Sequence, residues 1–342
     1  MKTLLLSTVR ALLVLLWVGA ALPAAGQVAS PHAVAVPRWF TESFLDFKDD
    51  VAEAARSGKR VLVYFGQDGC PYCKAMMQGS FGPGATADTV QRHFVAIAIN
   101  IWGDRELQWL DGHRTTEKKL AQTLGVQFTP TLLFLDADAR ITLRLNGYQP
   151  PERLARIVGY VAGRHDRNDS LAEYLQRAEA VPGTPRPAPA AQPYLQRLAT
   201  LPRRPGGKPL AVLFEAPGCA ACAELHSEAL ARPTLRTLLP QLDLVRVLPG
   251  ASTALRTPDG RSSDTRSWAR DLHITLYPTV VFFDARGAEV FRFDGYLRPF
   301  HIESAFDYVA SGAYAKETQF QRFVQTRADK LRAAGKPVDL WR

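Results

Sequence analysis

Gly69-Cys70-Pro71-Tyr72-Cys73-Lys74 and its counterpart Gly218-Cys219-Ala220-Ala221-Cys222 decide the reading of this 342-residue chain. The two stretches hold all four cysteines of the sequence. Each cysteine has one neighbour three positions away and no other candidate partner. A bridge that short closes a tiny loop, constrains the unfolded chain little, and so adds little stability. Each half of the chain is long enough to bury its own core without such staples. Its 46% hydrophobic and 22% charged residues are ordinary for a globular protein. Redox chemistry therefore explains the pairs better than structural support does.

Just upstream, Arg60-Val-Leu-Val-Tyr-Phe65 and Pro209-Leu-Ala-Val-Leu-Phe214 are short apolar runs suited to buried strands. A Gly-bearing turn follows each, and the cysteine pair then opens a helix. Pro71 suits the first helical turn, where its missing N–H is not needed. Cys70 is thereby placed at a helix N-terminus, whose free N–H groups stabilise a thiolate. This makes Cys70 the expected nucleophile, and Cys73, one turn along and more buried, the residue that resolves the mixed disulfide. Cys219 and Cys222 take the same roles in the second stretch. There the intervening residues are two alanines, no Lys follows Cys222, and Glu224 lies two residues on. The second pair is therefore expected to be electrostatically less favourable to thiolate.

The surroundings repeat as well. Leu124–Thr131 aligns with Leu272–Thr279, Phe134–Ala137 with Phe282–Ala285, Gly147-Tyr148 with Gly295-Tyr296, and Tyr160–Ala162 with Tyr308–Ala310, all at one offset of about 148 residues. The cysteine pairs match at an offset one residue larger. In each copy a second strand, 93–99 or 242–248, precedes a helical stretch. Two further strands turn at Asp136-Ala-Asp138 or Asp284-Ala-Arg-Gly287, and a helix closes the copy. The order βαβ, α, ββα gives an α/β fold with a mixed central sheet flanked by helices, built twice in tandem. The boundaries read as domain one at 38–170, a helix and Pro/Ala-rich linker at 171–193, domain two at 194–313, and a helical extension at 314–342. The linker's 181–193 stretch reads as a semi-rigid spacer, so the two domains are expected to move relative to one another. The charged helix at 319–334 suggests no chemistry.

Lys2 and Arg10 bring positive charge to the start of the chain, with an apolar run from Ala11 to Leu22, and Ala24 and Gly26 supply small residues for cleavage. Residues 1–26 thus read as a secretory signal peptide, cut after Gly26. The run falls short of the ~20 apolar residues of a membrane span, and no later segment could form one. The net charge of +9 comes from scattered basic residues with no aromatic-interleaved stripe, which argues against nucleic acid as a partner.

Both copies resemble the thioredoxin fold of thiol–disulfide oxidoreductases, over nearly all of the mature chain. The resemblance implies that Pro130 and Pro278 are cis and face the cysteine pairs, with Thr129 and Tyr277 lining a substrate groove. Copy one is more closely similar to the periplasmic thioredoxins of the SoxW type from bacterial sulfur oxidation. Phe65–Cys73, Asn100-Ile-Trp-Gly-Asp-Arg105, Thr116–Ala121 and Gly125–Thr131 carry that likeness. It implies a periplasmic protein-disulfide reductase without a cofactor. Its partner would be a disulfide-bearing exported protein or a sulfur carrier, and its electrons would come from a membrane donor of the thiol-reducing type.

There are departures. Thioredoxins place a buried acid six residues before the first cysteine, and Tyr64 and Leu213 stand there, with Asp68 and Glu215 the acids available to substitute. The Trp that often precedes the pair is replaced by Gly69 and Gly218. Two other readings stay open: a disulfide isomerase or oxidase acting on folding exported proteins, and a second domain that is a non-catalytic partner- or metal-binding module. No metal site is expected. His226, four residues after Cys222, reads as a helix-surface residue, and the two pairs belong to separate copies rather than to one zinc site.

Overall fold

The computed structural model describes residues 33–168, 170–179, 187–295 and 297–339. The signal-peptide reading at 1–26 and the linker's 181–186 lie outside the described residues.

Copy one contains β1 (Arg60–Gly66), β2 (Phe94–Asn100), β3 (Glu106–Gln108), β4 (Arg114–Thr116), β5 (Thr131–Leu135) and β6 (Ile141–Asn146). Its main sheet has the order β2-β1-β5-β6. Strand β1 runs parallel to β2, with Arg60 opposite Phe94, and antiparallel to β5, with Val61 opposite Leu135. The parallel step needs a crossover, which the helices Pro71–Gln78 and Ala85–His93 supply. Every residue of β1 is buried, because helices cover both faces of the sheet.

Copy two repeats this with β7 (Leu210–Phe214), β8 (Asp243–Val247), β9 (Ala254–Arg256), β10 (Ser262–Asp264), β11 (Thr279–Phe283) and β12 (Glu289–Asp294), in the order β12-β11-β7-β8. The repeat holds down to single hydrogen bonds. Thr131 Oγ1 donates to the Phe128 carbonyl and Thr279 Oγ1 to the Leu276 carbonyl, each at 2.8 Å. Two features lie outside the sequence reading. The helix Phe47–Arg56 is capped by Asp46, whose side chain accepts from the N–H of Lys48 and Asp49. The ribbons β3/β4 and β9/β10 are three residues a strand, too short for alternation to reveal.

The expectation that the two domains move relative to one another meets a shared interior: the described residues from 34 onward fall in one compact unit, and the copies exchange core residues. Phe128, of copy one, is buried in the core of copy two, 5.6 Å from the Phe291 ring and 5.2 Å from the Phe320 ring. Its equivalent Leu276 is buried in the core around Cys70 and Cys73. Asn146 and Asp294, also equivalent, meet through a 2.6 Å hydrogen bond from the Asn146 amide. The helix Phe320–Ala333 of the C-terminal extension seals the same junction. Phe320 is fully buried, and its N–H donates to Gln127 Oε1 at 2.8 Å. No helix among the described residues is long and apolar enough to cross a membrane.

Candidate active site

Both cysteine pairs are closed as disulfides, with Cα atoms 5.2 Å apart in each. Cys70 is the N-cap of the helix Pro71–Gln78, and its Sγ accepts the Cys73 N–H at 3.1 Å. Cys73 is fully buried and Cys70 is 5% exposed. Gly69 turns the chain into the helix at φ +71°, with nothing within 4 Å of where a Cβ would stand. A backbone dihedral, not space, thus favours glycine at this turn.

The Thr129–Pro130 bond is cis, as is Tyr277–Pro278. Thr129 stands against Cys70, with its hydroxyl 3.5 Å and its carbonyl oxygen 3.6 Å from Cys70 Sγ. Thr129 Oγ1 also accepts from Gln67 Nε2 at 3.0 Å. Gln67 in turn accepts from Trp102 Nε1 at 2.5 Å and donates to Gln321 Oε1 at 3.3 Å. Of this group only Thr129 was singled out as a site residue. Trp102 had a signal in the Ile-Trp-Gly-Asp-Arg stretch, whereas Gln321, on the helix of the C-terminal extension, had none.

Copy two walls the first site. A cavity of about 120 Å³ beside it is lined by Tyr72, Thr129 and Tyr148 from copy one and by Leu297, Arg298 and His301 from copy two. The His301 ring meets the Tyr72 ring edge-on at 5.1 Å. Burial pushes His301 down to about 4, so it is neutral at ordinary pH. Its counterpart in copy one, Arg153, reaches the other way and donates to the Tyr277 carbonyl at 3.1 Å. Tyr64, at the position of the missing acid, is buried beside the cysteines, and its hydroxyl makes no hydrogen bond among the described residues. Burial first, and the charge of Asp68 second, hold that hydroxyl well above the usual phenol range.

The second pair has a different setting. Cys219 caps the helix Ala220–Glu224, and its Sγ accepts the Cys222 N–H at 3.1 Å. No hydrogen bond joins Cys219 to Tyr277 among the described residues. A groove of about 680 Å³ at this pair is lined by Glu215, His226 and Arg246 and by the linker segment 187–190. Glu215 is 0% exposed and is held between Arg246 Nε and His226 Nε2, each at 2.6 Å. Tyr194 meets His226 Nδ1 at 2.6 Å, and burial, then Glu215, push its hydroxyl up to about 12.

One expectation is corrected here. The His226 side chain is only 8% exposed and sits in a polar cluster, not on the helix surface. Of the acids near Cys219, Glu215 is paired with Arg246, and Glu224 lines the cavity at the first site rather than the groove at its own. Among the described residues, no group of three or more His, Cys, Asp or Glu side chains is placed to hold a metal ion.

The family model described as a thioredoxin-like domain matches residues 47–162 and again 203–310. No curated protein matches the chain. Among solved structures, the chain is similar to a thioredoxin-fold protein from Helicobacter pylori, at 23% identity and a TM-score of 0.32, over 35% of this chain and 80% of that one. It is also similar to a thioredoxin from Thermus thermophilus, at 25% identity and a TM-score of 0.27, over 34% of this chain and 84% of that one.

Proposed function

The chain belongs to the thioredoxin-like domain family and carries that domain twice, and on that premise we propose that it is a thiol–disulfide oxidoreductase acting through Cys70/Cys73 and Cys219/Cys222. One observation carries the reading. The first cysteine of each pair is a helix N-cap whose sulfur accepts the N–H of the second, and Cys70 faces the cis-Pro loop at Thr129. Helix N-termini favour the thiolate, which is the attacking species.

Reduction of partner disulfides is the direction best supported, by Cys-Pro-Tyr-Cys and by the Thr before Pro130. The Cys70 thiolate attacks a substrate disulfide, and one substrate sulfur leaves and takes up a proton. Cys73 then gives up its proton and attacks Cys70 Sγ. The second substrate thiol leaves, and the pair ends as a disulfide. Two electrons and two protons pass to the substrate, and a dithiol donor must restore them. The pattern at 1–26 and the SoxW-like stretches support a periplasmic protein that reduces a disulfide-bearing exported protein or a sulfur carrier and draws on a thiol-reducing membrane donor.

The test is the reduction of insulin with dithiothreitol as electron source. The chain should accelerate it, and Cys70→Ser and Cys219→Ser should divide the rate between the copies. No acceleration would overturn the reading, and recovery of active ribonuclease from its scrambled form would favour isomerisation instead. For copy two, one observation favours a non-catalytic binding module. The linker lies along its groove, with the Pro187 carbonyl accepting from Gly218 N–H and the Ala190 carbonyl from Arg246 Nη1, both at 2.9 Å. That reading requires Cys219→Ser to leave insulin reduction unchanged.

A further inference from the structure

The C-terminal helix Phe320–Ala333 packs on copy two, yet one of its side chains ends near the first redox pair. The directions of the intervening hydrogen bonds can be deduced. An indole N–H only donates, so Trp102 Nε1 fixes Gln67 with its Oε1 toward the indole. Gln67 Nε2 then has two protons to give, one toward Thr129 Oγ1 at 3.0 Å and one toward Gln321 Oε1 at 3.3 Å. Gln321 is oriented in turn, because its Nε2 donates to the Gln127 carbonyl at 2.9 Å. Thr129 Oγ1 already accepts from Gln67, so its single proton is free to point at Cys70 Sγ, 3.5 Å away. Arg322 lies over the Trp102 ring at 5.3 Å and ties the same helix to the other end of the chain of bonds.

We propose that the C-terminal helix completes the first redox site: Gln321 and Trp102 lock Gln67, Gln67 turns the Thr129 hydroxyl proton toward Cys70, and that proton stabilises the attacking thiolate. A donor aimed at the charged form of an acid favours that form. Thr129 touches the reacting sulfur, whereas Gln67, Trp102 and Gln321 are positioning residues. Copy two has no such device, since Ala216 stands in place of Gln67 and Tyr277 in place of Thr129. The inference rests on the reading of Cys70 as the nucleophile.

The test uses the full chain carrying Cys219→Ser and Cys222→Ser, reduced, with alkylation of Cys70 by iodoacetamide followed against pH. Thr129→Val removes the donor. The alkylation midpoint should rise by about one unit, which slows the reaction about tenfold at neutral pH. Gln67→Glu keeps the bond to Trp102 but has no proton for Thr129, so the hydroxyl turns to the new carboxylate. Its midpoint should rise at least as far. Gln321→Ala should shift the profile the same way, by two- to threefold in rate. It changes a half-buried helix face, so its result stands should Thr129→Val fail to fold. Gln67→Glu and Gln321→Ala profiles that superpose on the parent's overturn the inference, even if Thr129→Val shifts alone. A parent that fails to reduce insulin marks instead the failure of the underlying reading.

Discussion

Glu215 has no exposed surface, and the two partners that hold it are the reason an acid is tolerated there. Arg246 and His226 take one carboxylate oxygen each. Breaking such a pair from one side strands the other charge. Glu215→Gln should therefore cost about 3–5 kcal/mol of stability in urea unfolding, and Glu215→Gln with Arg246→Met clearly less. Equal losses in the two variants would mean that Arg246 is not what Glu215 supports. His301 gives the pH counterpart. It stays neutral in the fold down to about pH 4, whereas an unfolded histidine takes its proton near 6.5. Between those values the unfolded chain binds more protons, so stability falls as the pH drops from about 6.5 to about 4, by about 3 kcal/mol from this residue. In His301→Phe that part of the slope should vanish, and an unchanged slope would show that His301 is protonated in the fold. The cysteines and the Thr129 and Tyr277 loops were legible because each is a short pattern anchored on Cys or Pro. The polar groups that finish the sites were not. Gln321 lies 254 positions from the Gln67 it meets, and a glutamine on an amphipathic helix carries no mark of its partner.

At the scale of elements, the strands and crossovers could be read because apolar runs, glycine turns and capped helices are local signals. The exchange of Phe128 and Leu276 could not, since an apolar residue two before a proline looks the same whichever core it enters. It has a consequence that tethered domains would not show. Phe128→Ala should cost about 3–5 kcal/mol. The loss of hydrogen-exchange protection should appear in β11 and β12 of copy two, whose Phe282, Phe291 and Phe293 share the cluster that Phe128 fills. Protection lost in copy one alone would contradict the exchange. The same logic explains the C-terminal helix, which looked featureless as sequence. Its Phe320 lies within 5.4 Å of Phe128, Phe291 and Tyr308, so it belongs to the junction rather than trailing from it.

At the scale of the whole molecule, two copies of one fold have become a single body with two unlike sites. One unfolding transition is expected, with near- and far-ultraviolet dichroism superposing, and a well-resolved plateau between two steps would restore the picture of tethered domains. The unlike surroundings of the pairs should give them unlike potentials, one set beside a hydroxyl donor and a neutral His301, the other beside an ion-paired cluster. The central claim is that both pairs are redox centres and not structural bridges. Its most direct test is a redox titration of the full chain, with the reduced cysteines of each pair counted by alkylation and mass spectrometry. The account predicts a separate two-electron transition for each pair between about −270 and about −120 mV. A pair that stays closed to below about −300 mV would behave as a structural disulfide and contradict it.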